Sequence, residues 1–108
     1  MNPTPKQLKD WRAREGLTLK QAAEVCGIKN FSRHVSGPKP QRLPAPNWFR
    51  CCTYSALGAH RWRDLDTLSQ LSDRPEIAGE SKGIRFMVVA LNHFEGFDII
   101  KIIMEMER

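Results

Sequence analysis

Apolar residues in the first third of the chain recur at the three- and four-residue spacings of amphipathic helices. The spacing predicts a first helix over residues 5–15, with Leu8 and Trp11 facing inward. It predicts a second, shorter helix over residues 19–25, whose apolar face is built mainly of small side chains. Small side chains allow a neighbouring helix to approach closely, so this segment is expected to pack against the rest of the fold.

The ends of these two helices carry their own signals. Thr4 and Thr18 stand where an N-cap is needed, and Gln21 follows Thr18 at the capping-box spacing. Gly16 and Gly27 follow the two helices, at positions that usually adopt a left-handed conformation. The sequence therefore predicts two capped helices separated by tight turns.

A third helix is expected to begin near Lys29 or Asn30 and to end before the Ser-Gly-Pro sequence at 36–38. The connector at 39–46 is basic and contains three prolines. Because proline fixes φ and lacks an N–H donor, this connector is predicted to be extended.

Further along, Asn47 is predicted to cap a fourth helix over residues 48–57. Leucines at three-residue spacing predict another short helix over 63–71, and Pro75 and Gly79 favour a loop over 72–81.

The C-terminal segment permits two interpretations. Residues 84–94 and 97–106 each follow a helical period, which favours two helices. The apolar run at 86–91 and the isoleucine doublets are also β-prone, so a hairpin turning through 92–96 is the alternative.

These patterns predict an all-α fold: a helix-turn-helix bundle of about four helices with a C-terminal extension, helical or alternatively a β-hairpin. The expected organisation is a helix-turn-helix domain at 1–58, a short helix and loop linker at 59–82, and an apolar extension at 83–108. The extension is expected either to pack on the domain or to form a dimer.

Charge is distributed unequally along the chain. Residues 1–63 hold 12 Lys or Arg and three Asp or Glu, a net charge of +9. Residues 64–108 hold five Lys or Arg and nine Asp or Glu, a net charge of −4. A concentrated positive field in one half is typical of proteins that bind a polyanion.

Composition narrows the chemistry further. The chain of 108 residues has three cysteines, Cys26, Cys51 and Cys52, whose spacing with the histidines fits no zinc pattern. No phosphate-binding glycine loop or paired-carboxylate motif is present. We therefore expect no enzyme activity, no cofactor and no metal. The N-terminus has no apolar stretch typical of a secretory signal, and an odd number of cysteines, two of them adjacent, indicates reduced thiols in a cytoplasmic protein. No apolar run approaches the roughly 20 residues that span a bilayer, so no membrane contact is expected.

About half of the chain, from Thr4 to Leu57, resembles the XRE/Cro-type helix-turn-helix family of prokaryotic and phage repressors. The matching features are Ala22-Ala23-Glu24 ahead of Gly27-Ile28, Ser-Gly at 36–37 and the proline-led segment at 44–48. The segment between the turn glycine and Ser-Gly is about two residues shorter than is usual in that family. The resemblance implies a DNA-binding domain with a shortened third helix.

This resemblance, together with the charge, identifies candidate DNA contacts. Asn30, Ser32 and Arg33 are expected on the exposed face of the third helix, where Arg can pair with guanine and Asn with adenine. The remaining candidates are assigned to phosphates or to the helix flank: Lys20, Gln21, Lys29, His34, Lys39 and Arg42.

The function expected from the sequence is that of a sequence-specific, DNA-binding transcriptional regulator of prokaryotic or phage origin. Its partner would be double-stranded DNA, with a homodimer formed through the C-terminal segment. The alternative is a small phage-type interaction protein that uses the same scaffold to inhibit or redirect a host machine. RNA polymerase and a CRISPR effector are the host partners considered.

Overall fold

The computed structural model describes residues 2–71 and 81–108, and this part of the chain is all-helical. Its seven helices are α1 (Pro5–Glu15), α2 (Leu19–Cys26), α3 (Ser32–Val35), α4 (Ala45–Leu57), α5 (Ala59–Leu71), α6 (Lys82–His93) and α7 (Gly96–Met106). The predicted all-α class is confirmed for these residues. The segment considered for a β-hairpin forms α6 and α7 instead. The loop predicted at 72–81 lies outside the described residues except for Ser81.

Local sequence determines where α1 and α2 begin. The Thr18 hydroxyl accepts the Gln21 backbone N–H at 3.1 Å, and the Gln21 side-chain oxygen accepts the Thr18 N–H at 2.9 Å. Thr4 and Gln7 form the same capping box on α1. Each box satisfies backbone donors that a helix start leaves without partners. Gly27 then ends α2 with a φ of +76°, a conformation that glycine adopts without steric cost.

The third helix is shorter than the sequence predicted. It was expected to begin near position 29 or 30, but α3 begins at Ser32 and has only four residues. The Asn30 side-chain oxygen accepts the Ser32 backbone N–H at 3.0 Å. Such a side-chain bond to the backbone two residues on stabilises a turn at Asn30 instead of a helical residue, so the helix begins after it. Buried Phe31 then anchors the segment to the core.

The fourth helix begins earlier than predicted because its prolines fit the first turn. Pro44 is the N-cap of α4, and Asn47 is an internal, buried residue rather than the cap. The Asn47 side-chain nitrogen donates to the Cys26 carbonyl at 2.8 Å, so it ties α4 to the end of α2. The fifth helix also starts early, at Ala59 instead of position 63.

The helix α4 is the centre of the fold. It packs against α2, α5, α6 and α7, while α1 packs on α3. Cys51, Cys52 and Thr53 are fully buried in its middle turn, and the Trp11 indole N–H donates to the Cys51 carbonyl at 3.1 Å. These contacts join the N-terminal helices to a single hydrophobic core.

The C-terminal helices contribute to this same core. Phe86 and Ala90 of α6 and Ile102 of α7 are fully buried, and the Trp48 indole N–H donates to the Met106 carbonyl at 3.4 Å. The outer side of α7 remains exposed, as described below. None of the described helices combines the length and apolar character needed to cross a membrane.

Candidate nucleic-acid interface

Five of the nine predicted contact residues line one open groove, which we call the basic groove. It has a volume of about 490 Å³ and runs from the turn after α2, past α3, to the first turn of α4. The five are Lys29, Asn30, Arg33, His34 and Arg42; Gln41 and Asn47 are among its other lining residues. The fold therefore brings together residues from two separate stretches of the sequence.

A backbone hydrogen bond explains how these two stretches meet. The Gln41 N–H donates to the Arg33 carbonyl at 2.8 Å, so the proline-rich connector folds back along α3. This places Arg42 beside the residues of the turn and of α3. The connector contains no helix at 40–44, as its prolines predicted, but Ala45 and Pro46 form the first turn of α4. The return of the connector gives the groove a second basic wall.

The charged side chains that line the basic groove, among the described residues, are all basic. No Asp or Glu among the described residues lines it, while Lys29, Arg33 and Arg42 do, and all three are exposed. Within residues 2–71 and 81–108, none of these three cations lies within ion-pairing distance of a carboxylate. Within the described part of the chain, the three positive charges thus face the groove without a carboxylate partner.

Lys20 lies beside this groove rather than in it. It lines a neighbouring recess with Lys29, Ser32 and Lys82, and Glu24 is the acidic residue of that recess. Sequence reasoning missed Lys82, because it belongs to α6 in the acidic part of the chain. Only the packing of α6 near Gly27 brings it there: a Cβ on Gly27 would lie 3.2 Å from the Lys82 Cβ.

Several predicted contacts occupy different positions from those expected. His34 was predicted to contact a phosphate or to lie on the helix flank; it is 6% exposed and lines the basic groove. Asn30 precedes α3, and Ser32, its first residue, is half-buried. Gln21 holds the capping box of α2, and Lys39 is exposed on the connector, outside the lining of the basic groove.

Behind the groove, a buried arginine fixes the end of α2. Arg50 is 1% exposed, and its Nε donates to the Val25 carbonyl at 2.8 Å. Its terminal nitrogens donate to the Glu24 carbonyl at 3.1 Å and to the Asp66 carboxylate at 2.8 Å. Carbonyls in the last turn of a helix lack intrahelical partners, so Arg50 acts as a C-terminal cap from α4.

Aromatic rings complete the environment of this guanidinium. The Arg50 Cζ lies 5.2 Å from the centroid of the Trp62 ring and 5.0 Å from that of Phe86. Cation–π contacts and a carboxylate partner compensate for removing the charge from water. Sequence analysis missed this role, since nothing local distinguishes Arg50 from an exposed arginine.

The three cysteines are buried free thiols. The Cys26 and Cys51 sulfurs lie 3.1 Å apart, between α2 and α4. Burial is the main cause that raises the pKa of the Cys51 and Cys52 thiols, which therefore stay protonated at neutral pH. A protonated thiol is a poor nucleophile and a poor metal ligand. No group of three or more potential metal ligands occurs in the described part of the chain.

Comparison with known proteins adds no functional information. No protein-family model, no curated protein and no solved structure matches the chain. The resemblance to helix-turn-helix repressors therefore remains a prediction from the residues quoted above, and the functional argument depends on the basic groove.

Proposed function

We propose that the protein binds double-stranded DNA through the basic groove and the start of α2, and that it acts as a sequence-specific transcriptional regulator without catalysis. One observation carries the proposal: five predicted contact residues line a groove that has no acidic residue among its described lining. The order of α2, the left-handed Gly27 and α3 supports it, because a helix, tight turn and helix present side chains to the major groove.

The residues would divide between backbone and base contacts. Lys20, Lys29 and Arg42 are exposed cations suited to phosphates, which supply most of the affinity. With only one turn in α3, base reading would fall mainly to Arg33 and to Asn30 just before it. A good bidentate pair contributes roughly 1–3 kcal/mol of discrimination.

A gel-shift series tests this proposal. The full chain is titrated with the DNA upstream of its own coding sequence and with a scrambled duplex of equal length, at several salt concentrations. We expect Arg33→Ala to reduce the preference between the duplexes, and Lys29→Ala, at a groove cation assigned to phosphates, to weaken binding to both alike. Lys101→Ala, on α7 and outside the basic groove, serves as the control. Absence of duplex binding at low salt would rule the proposal out.

A second candidate function is that of an interaction protein, and the outer side of α7 favours it. Phe97, Ile100 and Met104 are 66%, 59% and 66% exposed on this one helix. Soluble monomers rarely expose large contiguous apolar patches. The partners considered are a host machine, such as RNA polymerase or a CRISPR effector, and a second copy in a homodimer.

Affinity capture and sedimentation identify what binds the outer side of α7: a host protein or a second copy of the chain. The interaction candidate predicts that the wild-type chain captures one stoichiometric host protein, that Ile100→Asp abolishes capture, and that duplex binding shows no sequence preference. A wild-type dimer converted to a monomer by the same substitution instead supports the homodimer. A monomeric wild-type chain without a captured partner contradicts both the host-protein partner and the homodimer.

A further inference from the structure

His34 differs from the other residues of the basic groove because it is buried without a partner. The residue is 6% exposed, and its buried Nδ1 has no hydrogen bond within the described residues. Buried polar atoms are normally hydrogen-bonded, so each exception requires an explanation. Since His34 lines an open groove, the missing partner can be supplied by a ligand.

Two recesses meet at this histidine. The basic groove and a second recess of about 340 Å³, whose lining includes Asn2, Pro5 and Pro40, share three residues: His34, Gln41 and Arg42. Neither recess is lined by an acidic side chain in the described part of the chain. The point where they meet therefore combines a partnerless imidazole nitrogen with a guanidinium and a side-chain amide.

The surroundings of this point also favour negative charge. Arg33 and Lys29 line the same groove, together with Pro44 at the start of α4 and Ser81 at the start of α6. The N-terminal end of a helix carries a partial positive charge, and α4 and α6 have 13 and 12 residues. Cations, an imidazole and two helix starts thus converge from three parts of the chain.

We propose that the basic groove binds a phosphate group, held between His34, Gln41 and Arg42. Arginine donates paired N–H groups that fit phosphate oxygens, and an imidazole nitrogen that carries its proton donates one more. The groove volume of about 490 Å³ is that of a small-ligand site. The phosphate belongs either to a DNA backbone, in which case the inference rests on the proposed function, or to a phosphate ester of a small molecule.

The first experiment measures phosphate binding itself. The ¹⁵N-labelled full chain is titrated with inorganic phosphate at constant ionic strength, with chloride as the balancing anion. Saturable resonance shifts are expected at His34, Gln41 and Arg42. Arg42→Gln is expected to raise the dissociation constant about tenfold, as loss of one charged hydrogen bond predicts. His34→Gln should act in the same direction, and Lys101→Gln should leave the constant unchanged.

Two further titrations identify the source of the phosphate. Displacement of inorganic phosphate by a DNA duplex, with the same variants weakening duplex binding, assigns the site to the DNA backbone. Tighter binding of thymidine 5′-monophosphate than of inorganic phosphate, without displacement by the duplex, assigns it to a small-molecule ester.

Specific outcomes overturn the inference. It is wrong if no saturable shift occurs at the three residues, or if Arg42→Gln leaves the dissociation constant unchanged. Duplex binding that persists without phosphate binding in the groove overturns this inference and leaves the proposed function standing. Phosphate binding without duplex binding overturns the proposed function alone. Because Arg42 is exposed, its variant tests the inference even if the His34 variant fails to fold.

Discussion

The fold uses the same side chain in two opposite ways, at Arg50 and at Arg42. Arg50 is 1% exposed and donates to two carbonyls of α2 and to the Asp66 carboxylate. Arg42 is exposed, and within the described residues no carboxylate lies in ion-pairing distance of it. The first guanidinium makes three hydrogen bonds inside the protein, whereas the second has no carboxylate partner among the described residues.

The contrast indicates how stability and binding are separated in this small domain. Buried Arg50, with its partners Val25 and Asp66, joins α4 to α2 and α5. An unpaired charge at this buried position would destabilise the fold. The basic groove is formed by the exposed side chains of the four-residue α3, the turn before it and the connector. Substitutions at Arg50 should therefore change folding, and substitutions in the groove should change binding.

The largest expected effect is at Arg50 itself. Arg50→Met retains much of the apolar volume, but it removes the cationic partner of Asp66 and the side-chain donor to the Val25 carbonyl. We expect the free energy of unfolding to fall by about 3–5 kcal/mol, as in other broken buried ion pairs. Urea denaturation followed by far-UV circular dichroism measures this value. Arg61→Met, at the pair between a half-exposed guanidinium and Asp98, is the matched control and should change stability far less.

A loss at Arg50 equal to that at Arg61 would contradict the separation. Adding Asp66→Leu to Arg50→Met sharpens the test. Because it removes the carboxylate that the single variant leaves unpaired, the double variant should recover part of the lost stability.

The next largest loss of stability is expected at Gly27, which lines the basic groove and also lies close to Arg50. Its φ is +76°, and a Cβ there would lie 3.0 Å from the Arg50 Nε. Gly16 has a similar φ of +67° with nothing within 4 Å of such a Cβ. We expect Gly16→Ala to cost about 1 kcal/mol and Gly27→Ala about 2 kcal/mol, from strain plus crowding. If the two variants lose the same free energy of unfolding, crowding against Arg50 does not contribute to the loss.

Substitution in the groove should affect binding but not folding. Arg42→Ala removes an exposed side chain, so its unfolding free energy should stay within about 0.5 kcal/mol of the wild type. Its affinity for duplex DNA should fall for all sequences alike, since a phosphate contact carries no base information. Fluorescence anisotropy with two unrelated duplexes measures both affinities. A change in their ratio would assign Arg42 to base reading instead.

The smallest expected effect concerns pH. The hydrogen bond from Arg61 is the main cause that lowers the pKa of Asp98 from its ordinary value of 3.8. A depressed folded-state pKa stabilises the protein above that value, and this contribution is lost as pH falls through the lower pKa. The stability difference between wild type and Arg61→Gln should therefore shrink below pH 3.8. Denaturation curves between pH 2 and 6 test it, and a difference that grows on acidification would be inconsistent.

The parts of the fold that depend on neighbouring residues could be predicted from the sequence. Thr4 and Thr18 located the starts of α1 and α2 because a capping box involves only residues three positions apart. The period of the apolar residues likewise predicted α6 and α7. The start of α3 was wrong because the Asn30 side chain hydrogen-bonds the backbone where the helix was expected to begin.

Features that depend on distant contacts could not be predicted in this way. Asn47 looks like a cap in the sequence, but it bonds the Cys26 carbonyl of another helix. Arg50 looks like an exposed cation, and Lys82 reaches the surface beside α2 only through the packing of α6. The basic groove shows both cases: five of its lining residues were named from the sequence, whereas the contribution of Gln41 and the burial of His34 required the fold.

The most direct test of the central claim is the salt dependence of duplex binding by the wild type and by the Lys29→Ala/Arg42→Ala double variant, since both residues are assigned to phosphates. Anisotropy titrations across a salt series yield the slope of log K against log salt concentration. We predict a linear decrease for the wild type, and a slope reduced by about 1.8 in the double variant, which is the loss of two phosphate neutralisations at about 0.9 each. Identical slopes for the two proteins, or no duplex binding by the wild type at low salt, would contradict the claim that the basic groove binds DNA.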